Sequence, residues 1–453
     1  MTTQSLADSI EEDLSELPVL DVHTHLCGPK LGARGLHDVL LYHMVVSDLY
    51  SAGCPSGARL TQFPGSADRD EAHGRIEEAL PYLRYIQNTS GWWTVRLILR
   101  DLYDWNEPIT TSNWRRLDDL IRERADDGTW ARSILRRSNV ERACAEYCRR
   151  GAGEGDDVLQ YSLEWGMFMR TQWGEYDTAV YELERTWGRQ PEPPVAILGD
   201  EPRPPADRTI RSVDDVHVAV RHYVGVIPFD RVISTAIGIS TDLDYRLPSD
   251  EQMSQALVRR AQAGPAERSI YAAYIGEAFL AELEKHGDRI VLQFSIGAEP
   301  LPHETASRLS QKTIGQVAEM VGRHPRLHFQ CFAGSRHANQ SLCTMCRELP
   351  NFSLAGYWWH NFFPGTIRQV MEERLDMVAL NKQCGFFSDA YVVEWTYGKS
   401  LLVRKQLAQV LAKKVAQGQY SRADAVSIAR AILHETPQTL NRMEPARRAP
   451  TES

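Results

Sequence analysis

The sequence predicts a (β/α)8 barrel, and three observations carry that prediction. Short apolar runs alternate with helix-length segments from residue 17 onward. About eight such runs can be counted, which favours a closed barrel over an open sheet. At 453 residues the chain is long for one ordinary domain but normal for a barrel with insertions.

The elements follow in order. Residues 5–16 form a short acidic helix ahead of the first strand. LPVLDVHTHL (17–26) is a compact apolar run ending in polar residues, as a buried parallel strand does. Residues 36–53 read as a helix and 55–70 as a loop rich in Gly, Pro and Ser. Residues 71–138 read as helices that carry Trp92, Trp93, Trp105, Trp114 and Trp130. So long a helical stretch between the first two strands is an insertion, and its Trp residues are expected to pack within it. SNVERACAEYC (138–148) is the second strand, 158–187 is helical, and PPVAILGDEP (193–202) is the third strand, ahead of a Pro-rich break. DRVISTAIGIS (230–240) is the β-branched fourth strand, followed by helix over 250–286. RIVLQFSIGAEP (289–300), RLHFQCFA (326–333) and NFSLAGYWW (351–359) are the next three, each with a helix after it. MVALNKQCGFFSDAY (377–391) holds the last strand, with closing helices over about 400–445. The whole chain, 1–453, is expected to be one barrel domain with its insertion.

Composition narrows the function. Hydrophobic residues make up 43% and charged residues 25%, the balance of a soluble globular protein. The net charge is −9 and there is no run of Lys or Arg, so nucleic acid and anionic membranes are unexpected partners. No apolar run is long enough to span a bilayer. The start, MTTQSLADSIEEDLSELP, has neither a basic segment nor an apolar one, so no signal peptide and a cytoplasmic location are expected. The eight Cys are irregularly spaced, as reduced and largely buried thiols are. Cys343 and Cys346 form a lone CxxC, and a zinc ribbon would need a second.

His23 and His25 carry the chemistry. At i and i+2 on a strand, two side chains point the same way. They end the first strand, on the face where barrel active sites sit. Two imidazoles so placed can share a metal ion, zinc first, with manganese or iron as alternatives. Asp389 ends the last strand, which neighbours the first in a closed barrel. Its carboxylate can complete the site and act as a base toward water. The competing reading of Asp389 is a helix N-cap.

Beyond these residues the chain resembles the amidohydrolase superfamily and, within it, the uronate isomerase (glucuronate isomerase) family. The likeness lies in LDVHTHL, ARSILRRSNVERAC, LPSDEQMSQALVRRAQAG, EAFLAELEKHGDRIVLQFSIGA and SLAGYWWHNFFPGTIRQVMEERLDMVALNKQCGFFSDAYV. The resemblance implies one divalent metal held by His23, His25 and Asp389. It also implies an active-site role for His43, in LLYHMVVSDLYSAG, and the likeness includes a Trp-Trp-x-Asn pattern at Trp358, Trp359 and Asn361, whose two Trp residues read as core or pocket wall.

The departures from the family matter as much. Its fifth-strand motif Gln-Leu-His-Ile-Gly stands here as Gln293, Phe294, Ser295, Ile296 and Gly297, so Ser295 replaces a histidine. Its Arg two residues after the last-strand Asp is Tyr391 here. The polar pair of its fourth strand is replaced near Ala236 and Ile237. Arg pairs bidentately with a carboxylate, and Tyr supplies no such charge. His360, after the seventh strand, and Arg336 and His337, after the sixth, are candidates to have taken over. Asp242 and Asp244 read as turn residues.

Three readings follow. One is a metal-dependent enzyme with altered chemistry: hydrolysis, hydration or lyase action on a small polar metabolite. There Asp389 would be the base, with His43 or His360 as acid. Tyr391, Ser295, Arg336, His337, Trp359 and Asn361 would contact substrate. The second is a uronate aldose–ketose isomerase with substitute residues, and the third a non-catalytic binding barrel. The long insertion and its Trp residues lead us to expect a homo-oligomer.

Overall fold

The computed structural model describes residues 2–26, 31–57, 68–146, 158–164, 169, 171, 179–188, 208–241, 243–287, 290–298 and 309–443. Eight strands form one sheet in chain order, and every adjacent pair is parallel. They are β1 Val19–Asp21, β2 Val140–Glu146, β3 Leu159–Glu164, β4 Val232–Gly238, β5 Val291–Ile296, β6 His328–Ala333, β7 Phe352–Ala355 and β8 Gln383–Cys384. The two ends of the sheet meet just beyond β1 and β8. His25 N–H donates to Ala390 O at 2.9 Å and Asp389 N–H to His23 O at 3.1 Å. These bonds close the barrel at the level of the candidate ligands.

The helices lie where the sequence places them, with local differences. Helix α1 is Thr3–Ser15, capped by the Thr2 hydroxyl. The predicted helix over 36–53 is two, α2 Leu36–Leu40 and α3 His43–Ser51. The chain is extended at Tyr42 between them, and the ring of Tyr42 is turned into the core.

The insertion comprises α4 Arg69–Ala79, α5 Ser90–Tyr103, α6 Trp114–Ala125 and α7 Trp130–Arg137. Trp92, Trp105 and Trp114 are buried in its core, and Trp130 packs against that core. Two buried carboxylates tie the insertion to the segment after β1. Asp118 accepts from Leu36 N–H and pairs with His73, both at 2.8 Å. Glu394 accepts from Ala33 N–H at 2.9 Å, Tyr103 O–H at 2.7 Å and Trp130 Nε1–H at 3.1 Å.

The third strand is a correction. Residues 159–164 are β3 although 158–187 reads as helical, and 193–202, the expected third strand, lies outside the described residues. The signal is visible once placed. Leu159, Tyr161 and Leu163 recur at the two-residue period of a strand, and among the described residues of that stretch only Ala179–Thr186 (α8) is helical.

Beyond it lie α9 Val213–Gly225, α10 Asp250–Val258, α11 Pro265–Glu284, α12 Gln311–Arg323, α13 Asn339–Glu348 and α14 Pro364–Met377. Capping boxes at Ser212 and Ser249 and Pro265 at a first turn start three of them where local chemistry dictates. Helices α15 Val393–Ala416, α16 Arg422–Arg430 and α17 Thr436–Leu440 end the described chain.

Helices α9–α13 pack their apolar faces on the outside of β4–β7, where Phe279, Phe294, Phe329 and Phe352 are fully buried. The inside of the barrel is more polar. Gln293 and Gln330 face each other across β5 and β6, and Gln293 Nε2 donates to Gln330 Oε1 at 3.0 Å and to Val22 O at 2.8 Å. Asn441, from the C-terminal segment, donates to Gln330 Oε1 at 2.8 Å. The six described cysteines are buried and unbridged, Cys343 and Cys346 among them, on α13.

A glycine after β7 shows how tightly the C-terminal end of the barrel is packed. Gly356 has φ +42°, and a Cβ there would lie 2.2 Å from the ring of Phe387. Gly356→Ala is expected to lower stability by about 2–5 kcal/mol, from left-handed strain plus overpacking. Gly418→Ala, at φ +77° with open space around it, should cost only about 1–2 kcal/mol. Urea unfolding at constant m-value measures both, and equal losses would contradict the packing contribution.

Candidate metal centre

His23 and His25 follow β1, and Asp389 stands opposite them across the barrel seam. One ligand atom from each lies within 4.8 Å of the others, and all three residues are buried. His25 Nε2 is 3.0 Å from Asp389 Oδ1, and His23 Nε2 is 3.8 Å from it. Burial opposes charge on the Asp389 carboxyl. The hydrogen bond with His25 and the fields of Lys399, His25 and His23 outweigh it, holding the group at about 2. It is therefore a carboxylate across the working pH range. Two imidazoles and one carboxylate converging in a buried cluster are the donor set a zinc-like divalent ion takes, so the residues fit the metal that the sequence implies.

The seam is built to hold this geometry. Asp389 has φ +51°, the left-handed region that costs a non-glycine residue about 1–2 kcal/mol. Its neighbours fix it. Ser388 N–H donates to Asp21 Oδ1 at 2.8 Å, and Thr24 Oγ1 donates to Ala390 O at 2.8 Å. Asp21 is fully buried below the ligands, and burial pushes its carboxyl up to about 7 against bonds from Ser388 and His23. Phe332 and Phe387 form an aromatic floor, their ring centres 4.9 and 5.8 Å from that of His23.

Around the triad stands an aromatic wall. Tyr391 stacks on His25, 4.9 Å between centres and 14° from parallel. Its hydroxyl is 2.5 Å from His43 Nε2. Trp359 meets His43 edge-on at 5.6 Å and carries the strained φ +48°. Burial lowers the His43 imidazole to about 4, and His25 and Lys399 add to that effect against Asp389. At neutral pH His43 is uncharged, so one ring nitrogen donates and the other accepts.

The structure thus gathers His23, His25, His43, Trp359, Asp389 and Tyr391. The other candidates have different surroundings. Ser295 is half-buried near the end of β5, and its carbonyl accepts from Ile239 N–H at 3.0 Å. Asn361 is buried and its side-chain amide donates to Ala333 O at 2.8 Å, tying the β7 loop to β6. Arg336 and His337 are exposed on a short turn after β6, and the Arg336 guanidinium pairs with Gln369. His360 is exposed beside Trp359. Asp244 binds Arg246, Lys312 and Gln316, as a turn residue does, and Asp242 lies outside the described residues.

Sequence reasoning passes over Asp21, Tyr42 and Lys399. Asp21 and Tyr42 each sit within two residues of a histidine singled out above. Lys399 is a lone cation in the apolar stretch VEWTYGKSLLV, which is the one signal that could have marked it.

No family model matches the sequence, and no curated protein matches it. Solved structures do match along almost the whole length. They include a glucuronate isomerase from Caulobacter crescentus (TM-score 0.76, 16% identity, covering 98% of this chain and 97% of that one). A uronate isomerase from Thermotoga maritima matches at TM-score 0.72 and 13% identity, covering 96% and 97%. One from Bacillus halodurans matches at 0.69 and 16%, covering 98% of each chain. The chain shares the fold of these isomerases from end to end, in agreement with the resemblance in its sequence.

His43 gives a stability signature. Its folded pKa lies below the ordinary histidine value, so the unfolded chain binds this proton first as pH falls. Its contribution is intact above about pH 6.5 and declines from there to about pH 4, where the folded imidazole also protonates. Denaturation of the parent and of His43→Gln across pH 4–7 should show a smaller loss in the variant. Parallel curves would show that His43 is not held neutral by its surroundings.

Proposed function

We propose that this protein is a metal-dependent enzyme that acts by hydrolysis, hydration or lyase chemistry on a small polar metabolite. The observation that carries the reading is the buried convergence of His23, His25 and Asp389 at the C-terminal ends of the first and last strands. Zinc is the metal proposed, with manganese or iron as alternatives, because two imidazoles and one carboxylate leave coordination positions open. A divalent ion there would supply Lewis-acid polarisation of a carbonyl or of water.

The residues of the chain do the rest. Asp389 is ionised and reaches the space between the imidazoles, so it can take a proton from the attacking water or from a substrate carbon. His43, neutral and bonded to Tyr391, presents a hydrogen bond to developing charge without carrying charge itself. Tyr391 and Trp359 shape the wall and exclude water on that side. Ser295, Asn361, His360, Arg336 and His337 are proposed as contacts for the more distant part of the substrate. A homo-oligomeric cytoplasmic enzyme completes the proposal.

The fold likeness to uronate isomerases along nearly the whole chain favours a second reading, sugar-acid aldose–ketose isomerisation. Position 391 weighs against it. The family that the sequence resembles has Arg there, and the tyrosine of this chain is already bonded to His43. Incubation with glucuronate and galacturonate decides the point: formation of the keto acids would favour the isomerase, and their absence would remove it.

Two outcomes test the main reading. Elemental analysis should find about one equivalent of divalent metal per chain, lost in His23→Ala. In a screen of amides, lactones and hydratable acids, Asp389→Asn should lower kcat by about 10²–10⁴. A protein that retains no metal after loading, or an unchanged kcat in Asp389→Asn, would refute the site or the base in turn.

A further inference from the structure

We infer that Lys399 and Tyr42 form a buried strut that sets the main-chain conformation of Asp389 and thereby the geometry of the metal centre. This inference rests on the metal reading above and assigns two positioning residues to it.

Asp389 cannot hold its conformation alone. Its φ of +51° is unfavourable for a residue with a Cβ, so contacts must over-determine it. Its N–H is fixed by His23 O at 3.1 Å. Its carbonyl is fixed by the Tyr42 hydroxyl, which donates to it. One peptide edge is thus tied to the segment after β1 and the next to Tyr42, at the break between α2 and α3.

Tyr42 in turn has little freedom. It is 1% exposed, and its ring stacks on Trp395 at 4.2 Å and 23° from parallel. Trp395 is anchored by its own Nε1–H, which donates to Val39 O at 3.2 Å. The hydroxyl of Tyr42 donates once, to Asp389, so it must accept from elsewhere to be satisfied. Lys399 Nζ, 2.8 Å away, is that donor.

Lys399 would be a poor choice for stability alone. It is 3% exposed, and an ammonium taken from water is costly unless paired. Its Nζ lies 4.9 Å from the Tyr42 ring centre and 4.7 Å from that of Phe362. The carboxylates that act on it are Asp389 and Asp21, the two acidic groups of the seam. A methionine would fill the same volume without that cost. What the cation adds is direction: it aims the Tyr42 hydroxyl at the Asp389 carbonyl and offsets the carboxylate charge gathered behind the two imidazoles.

The test uses cobalt(II) as the probe, titrated into the metal-stripped full chain, because its visible bands report ligand geometry. The parent should bind about one equivalent with a defined band pattern. Tyr42→Phe keeps the ring and its stack on Trp395, and Lys399→Met keeps the volume. Both should weaken cobalt binding by about 10–100-fold. At saturation both should also shift the bands, which loss of fold stability does not do. Lys413→Met, at an exposed lysine paired with Glu372, should match the parent in affinity and spectrum. Should Lys399→Met fail to fold, Tyr42→Phe alone decides. Parental affinity and spectrum in Tyr42→Phe would overturn the strut and leave the metal reading standing. A parent that takes up no cobalt would overturn both.

Discussion

The site depends on one seam, the junction where the ends of the sheet meet. Two main-chain hydrogen bonds, His25 N–H to Ala390 O and Asp389 N–H to His23 O, join the residues after β1 to those after β8. No single strand could supply the ligand set, because three donors around one ion must approach from different directions. Barrel closure brings a carboxylate from position 389 against imidazoles from positions 23 and 25. The insertion reinforces the same place from outside. Asp118 and Glu394 accept from Leu36 and Ala33 N–H, so the helices of residues 69–137 are clamped to the segment that leaves the ligand strand.

The energetics of the seam run against burial and are balanced locally. Asp21, Asp389 and Lys399 are all buried, and each would be expensive alone. Together they compensate: Asp389 stays ionised near pH 2 and above, while Asp21 is raised toward neutral pH. The Lys399 ammonium is lowered to about 8, burial outweighing the pull of the two carboxylates. A core of the same shape made of leucine and phenylalanine would be more stable and would have no use for a cation. Polar groups buried at such a cost and converging on one point are what makes this region the candidate site.

Much of this was legible in the sequence because it depends on local periodicity. The i, i+2 spacing of His23 and His25 after an apolar run places both imidazoles on one face without knowledge of any other strand. Asp389 needed the further premise that first and last strands are neighbours. β3 was misread because Leu159, Tyr161 and Leu163 lie in a short run without β-branched residues, where a two-residue period is easily taken for helix. The pairing of Tyr42 with Lys399 was not legible. They are 357 positions apart, and their meeting is a property of the packed structure.

Tyr391, where the family that the sequence resembles has Arg, bears on how far a shared fold implies shared chemistry. A guanidinium two residues after the ligand carboxylate would project charge into the pocket and select an anionic substrate group there. Tyr391 instead lies flat on His25 and bonds to His43, so in the proposed site it would order the wall and leave no cation there to meet substrate. His43 is neutral as a consequence of the same burial. In the proposed reading, a substrate group at this wall would meet aromatic faces and an uncharged imidazole, an environment suited to a polar but uncharged carbonyl or hydroxyl. The metal ligands can stay fixed while the reaction changes, because the donors that hold an ion and the groups that choose its substrate sit on different side chains.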